Sequence, residues 1–219
     1  QQYQGDNAWR IPVKPVPAKE PAIAKDRFLR GAIALAVNGV PIFNPFNNRG
    51  EDAYLIGELD EYGGHCGRAD DYHYHIAPLH LYNFVPTTSP VAFALDGFAV
   101  YGADEPDGVP MLPLDTNHGH FGTNGVYHYH GEMTAPYMVG NMVGRVTEDS
   151  TLQIIPQASA RPVRPSLTPL NGATLTGCTP NSNNNGYTVT YTLNGQVDSI
   201  VYSWTSNGVY TYDFYTAGN

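Results

Sequence analysis

Lysine is almost missing. Lys14, Lys19 and Lys25 are the only three in 219 residues, and all lie before residue 26. Acidic residues number 20 against 11 basic ones, for a net charge of −9. No basic stripe exists to follow a nucleic-acid backbone or an anionic membrane surface. Charge of either sign is scarce, at 14 %, against a usual ~25 %. That argues against a helical bundle or coiled coil, which would need many Glu and Lys. The two cysteines, Cys66 and Cys178, suffice for one bridge but not for a disulfide framework. No apolar run approaches the ~20 residues of a membrane helix. Serine-elbow, dinucleotide, phosphate-loop and H-E-x-x-H signatures are all absent.

What is present points to strands and turns. The chain has 23 Gly, 18 Pro and 16 Tyr, and 42 % of it is hydrophobic, enough for a core. The expected fold class is all-β, mostly antiparallel with few short helices. Residues 1–30 are broken by prolines and read as an extended N-terminal arm. Residues 149–171 have the composition of a Pro-rich linker. Residues 172–219 alternate Tyr or Val with Thr and contain two Asn-Gly turns, Asn194-Gly195 and Asn207-Gly208. They predict a small antiparallel meander with strands near 186–193, 197–204 and 209–215.

The middle, 31–148, is built from two repeats, about 33–78 and 91–136. IALAVNGVPIF at 33–43 and VAFALDGFAVY at 91–101 each read as a β-hairpin, and they align at an offset of 58. LDEYGGHCGRADDYHYH at 59–75 and LDTNHGHFGTNGVYHYH at 114–130 align at an offset of 55. The shared pattern is L-D-x4-H-x-G-x4-Y-H-Y-H. Two such units are expected to pack about a pseudo-twofold axis, so that the hairpins share one core.

Six histidines occupy equivalent places: His65, His73 and His75, then His120, His128 and His130. On a strand, the two histidines of Tyr-His-Tyr-His project to one face, about 7 Å apart at the backbone. The earlier histidine can fold back across a Gly-containing turn as a third ligand. Two separate centres or one binuclear centre would satisfy the pattern. Imidazoles without thiolate suit copper, with zinc as the alternative, while calcium and magnesium prefer oxygen donors. All eight histidines lie between 65 and 130. His80 and His118 have no counterpart in the other repeat and are candidates for an outer shell or an extra ligand. Asp60 and Asp115 match between repeats and would either orient an imidazole or cap a turn. Tyr72, Tyr74, Tyr127 and Tyr129 flank the ligands, though strand alternation turns them to the opposite face. Glu132 stands where the first repeat has Ala77 and is a candidate catalytic acid or base, or a solvated loop residue. Cys66 would pair with Cys178, worth ~4 kcal/mol by loop closure, or serve as a thiolate beside His65.

Tyr72–His75 and Tyr127–His130, together with LDGFAVYG at 95–102 and YHYHGEMTAPYMVG at 127–140, resemble the YHYH-domain family of secreted bacterial proteins. The resemblance covers roughly residues 28–147 and implies secretion, but it supplies no reaction. Members often carry a Cys before the motif's Gly-His; here Tyr62 and Asn117 stand at those places, so no covalent tie carries over. A chain beginning Gln1-Gln2-Tyr3 is expected to be a mature form cut from its signal peptide. The expected function is thus a secreted or periplasmic transition-metal protein. Three such roles fit, a copper-dependent oxidoreductase, a metal capture or delivery protein, and a zinc hydrolase or lyase, and a structural surface protein is the fourth alternative. A small molecule or a glycan is the expected organic partner.

Overall fold

The computed structural model describes residues 3–4, 8–67, 71–158, 161–162 and 170–217. The chain forms two compact units, Gln1–Ser166 and Leu167–Asn219. In chain order the first unit has β1 (Tyr3–Gln4), β2 (Pro17–Ile23), β3 (Ala32–Ala36), β4 (Pro41–Phe43), β5 (Gly64–Cys66) and β6 (Tyr72–Tyr74). After a short 3-10 helix, Leu79–Asn83, come β7 (Ala92–Ala94), β8 (Ala99–Tyr101), β9 (Gly119–Phe121), β10 (Tyr127–His130), β11 (Asn141–Gly144) and β12 (Arg161–Pro162). The second unit has β13 (Thr174–Pro180), β14 (Gly186–Leu193), β15 (Gln196–Trp204) and β16 (Tyr210–Tyr215). The class is all-β, and no described helix is long and apolar enough to cross a membrane.

The repeats share one eight-stranded sheet, ordered β5-β6-β4-β3-β7-β8-β10-β9. Read from either edge, that order is the same once each strand is exchanged for its counterpart. The seam is antiparallel, with Ala34 opposite Ala94, Leu35 opposite Phe93 and Ala36 opposite Ala92. At an offset of 58, Ala34 is the counterpart of Ala92 and Ala36 of Ala94. The seam therefore swaps equivalent residues about the Leu35–Phe93 pair, as an isologous dimer interface does. The one parallel pairing in each half is equivalent as well: Ile42 with Tyr74 in β4–β6, and Val100 and Tyr101 with Tyr129 and His130 in β8–β10.

The alanine face of the seam is covered, while Leu35 and Phe93 between the alanines stay partly exposed. Ala32, Ile33, Ala34, Ala92 and Ala94 are fully buried. The segment read as an arm supplies part of that cover. β2 pairs with β11, and Trp9 and Ile11 pack on the core. Prolines mark this segment as non-helical, but not as free of the domain. The expected linker is likewise packed at its start. Ile154 is buried in the core. Gln157 accepts from Trp9 Nε1 and Ala32 N, and donates to Ala32 O and Ile154 O. Most of the remaining linker, at 159–160 and 163–169, lies outside the described residues.

The second unit is a four-stranded antiparallel sheet, β13-β14-β15-β16, rather than three strands. β13 had no readable alternation because its side chains are almost all exposed. Tyr187, Tyr202, Trp204, Tyr210 and Tyr212 form a row of neighbouring rings on one face. The expected Cys66–Cys178 disulfide is not formed. Each cysteine is exposed at the surface of its own unit.

Candidate metal centres

In the first repeat, β5 and β6 pair so that His65 stands directly opposite His73. The turn leading into β5 needs a left-handed residue, and Gly63 supplies it with φ 82°. His75 follows β6 on the face of His73. Its Nδ1 lies 2.5 Å from Asn44 O, and His73 Nδ1 lies 2.7 Å from Asp71 O. A carbonyl only accepts, so each Nδ1 carries the proton and each Nε2 presents a lone pair. His75 Nε2 sits 3.1 Å from His65 Nε2, and one ligand atom from each of the three rings lies within 4.8 Å of the others. Phe43 stacks on His73 with centroids 4.0 Å apart. Burial pushes His75 down to about 4 and lowers His73 as well. Both are neutral at neutral pH, the form that binds a metal.

The second repeat rebuilds this geometry. His120 stands opposite His128 between β9 and β10, their Nε2 atoms 3.1 Å apart. His130 Nδ1 lies 2.6 Å from Gly102 O, and Gly102 is the counterpart of Asn44. His128 Nδ1 faces Val126 O at 3.4 Å, matching His73 with Asp71. Tyr101 replaces Phe43 and meets His128 edge-on.

A fourth donor joins here, and the sequence reading missed it. Glu105, only 4 % exposed, places its carboxylate oxygens 2.8 Å from His120 Nε2 and 2.9 Å from His128 Nε2. His130 Nε2 is 3.6 Å away. Burial would raise the Glu105 carboxyl, but the Leu112 N–H and the two imidazoles outweigh it, and the group stays anionic below its ordinary range. Burial holds His130 neutral. Its Nε2 is buried without a hydrogen-bond partner, its lone pair aimed at a carboxylate. A cation among these four groups would satisfy both. A pocket lined by Glu105, Asp107, Val109, Leu112, Asn124 and His128 offers an ion a way in from solvent. Glu105 could have been found as the counterpart of Asn47 at the hairpin offset. The loops then differ by three residues, and the motif alignment resumes only beyond them.

The two clusters sit on β5–β6 and β9–β10, at opposite edges of the sheet, so they are two separate centres rather than one binuclear site. The other candidates fall outside both groups. Asp60 Oδ1 accepts from Tyr62 N and Gly64 N, and Asp115 Oδ1 from Asn117 N and Gly119 N. Their carboxylates also accept from Tyr72 OH and Tyr127 OH. They build turns and do not orient imidazoles. Tyr74 meets His80 and Asn38, and Tyr129 donates to Asp96. Burial raises all four motif tyrosines, so none offers a phenolate. His80 lies between Tyr62 and Tyr74. His118 takes the place of Gly63 at φ 71°, and its Nε2 faces Glu132 at 3.6 Å. Glu132 therefore contacts an unmatched histidine and no member of the ligand groups. Cys66 sits next to His65 but is not one of the grouped donors.

No curated protein and no solved structure matches the chain. Residues 8–108 match the family model described as YHYH protein. That span contains Tyr72–His75 and stops before Tyr127–His130. Over residues 8–108 the chain is therefore similar to the YHYH protein family.

Proposed function

We propose that this protein binds a transition metal at each of its two histidine centres, that the metal is copper, and that the protein works outside the cytoplasm as an oxidoreductase. One observation carries the metal reading. His75 and His130 commit their Nδ1 protons to backbone carbonyls, so their Nε2 lone pairs point into the clusters, and at His130 that atom has no hydrogen-bond partner. A cation there would be met by imidazole lone pairs in both clusters and by the Glu105 carboxylate in one. Three nitrogens with one carboxylate suit Cu(II), and imidazole ligation leaves Cu(I) accessible too. Four Met and two Cys in the whole chain supply no soft cluster of the kind that stores Cu(I). The Tyr and Trp row of the second unit supports a glycan as organic partner, since sugar faces stack on aromatic rings.

Capture without turnover is the second reading, favoured by the four protein donors that close the Glu105 centre. Zinc at three imidazoles and a water would instead make a hydrolase or lyase. Metal analysis after dialysis of the untagged protein is expected to find copper near two per chain. The loaded protein should consume ascorbate and O2 faster than free copper at equal concentration. Replacing His73 and His128 together by Ala should abolish both properties. Silenced copper redox would establish capture, zinc alone the hydrolytic reading, and no metal uptake would overturn the proposal.

A further inference from the structure

Asn47 and Glu105 hold the same place in the two repeats. Asn47 N donates to Glu51 O and Gly50 N donates to Asn47 O; Glu105 N donates to Val109 O and Gly108 N donates to Glu105 O. The bridges Phe46–Asp52 and Asp104–Pro110 frame both turns. At one backbone position the side chains then part ways. Glu105 reaches two imidazoles of its centre. Asn47 turns back into its own loop, where Oδ1 accepts from Arg49 N and Glu51 N and Nδ2 donates to Glu51 at 3.1 Å. Glu58 accepts from Asn47 Nδ2 at 3.4 Å and pairs with Arg49 at 2.7 Å. The first centre thus offers three imidazoles, and the second three imidazoles and a carboxylate.

We infer that the two centres have divided the work: the Glu105 centre is a closed site that takes a divalent transition metal first, and the His65 centre holds a metal with one position kept for a small external ligand, an anion or water, with Asn47 as the residue that keeps it open. The inference rests on the metal reading above. A carboxylate adds both a donor and a negative charge, which raises affinity for a divalent ion. A site with three protein donors completes its shell from outside, and that is the usual difference between catalytic and structural metal sites.

Cobalt(II) titrated into the metal-free full chain tests this, because its visible bands report coordination. The first equivalent should bind at least ~10-fold more tightly than the second. Sodium azide should change the spectrum only after the second equivalent has entered. His73→Ala should remove that second equivalent and the azide response while sparing the first. Asn47→Glu should close the first centre, strengthening its binding and abolishing the azide response. Glu105→Asn should make the second centre respond to azide, which keeps a decisive comparison if Asn47→Glu does not fold. An azide response with the first equivalent, or two equal sites in the native chain, would overturn the inference and leave the metal reading standing. No uptake of cobalt, copper or zinc at either centre would overturn both.

Discussion

Tyr129 faces away from the imidazoles on either side of it and donates to Asp96 Oδ2 at 2.6 Å, while accepting from Val143 N. Asp96 also accepts from Phe98 N and Gly144 N. The first repeat makes the same tie in weaker form, Asn38 Nδ2 to Tyr74 OH at 3.0 Å. In both repeats a hairpin-turn residue anchors the central tyrosine, and the tyrosine fixes the strand that presents the histidines. Asp96→Ala would leave the Phe98 and Gly144 N–H groups unanswered and Tyr129 with only its longer bond to Asn141 O, and should lower unfolding stability by about 2 kcal/mol or more in urea titration. Burial raises the Asp96 carboxyl above its ordinary range, outweighing the hydrogen bonds from Tyr129, Gly144 and Phe98. With the folded value raised, the contribution is full below the ordinary carboxylate range and is lost as pH rises through the folded value. Melting temperature measured in metal-free protein from pH 4 upward should therefore fall less in Asp96→Asn than in the native chain; an equal fall would refute this. The six histidines were legible because a repeated pattern singles them out. Glu105 was not, because its loop and the first repeat's differ in length and its counterpart is a different residue type.

At the scale of elements, the Asn-Gly and Asp-Gly turns made both hairpins and the second unit's central strands readable, since few residues tolerate φ > 0 at those corners. β13 was not readable, because a strand exposed along its length has no buried face to impose alternation. β2 was hidden by its prolines, which a strand paired on one side can hold. The β3–β7 seam was legible only as an expectation of a shared core; its register depends on small residues meeting across the axis. Ala34 and Ala92 are both fully buried and are counterparts across that axis. Ala34→Leu and Ala92→Leu should each cost about 1–3 kcal/mol through overpacking, and by similar amounts. One tolerated and one ruinous substitution would show that the two halves of the seam are not equivalent.

For the whole molecule, two matching histidine groups lie at opposite edges of one sheet, and the residues at 47 and 105 make them unequal. The first unit carries both centres, and the second presents an aromatic face. Metal ions are expected at both centres. Anomalous scattering at the copper edge, from crystals of the copper-loaded protein, tests this most directly. Two peaks are predicted, one about 2.0–2.2 Å from the Nε2 atoms of His65, His73 and His75, the other among His120, His128, His130 and Glu105. No peak at either place, or copper held only at His80 or at the His118–Glu132 pair, would contradict it.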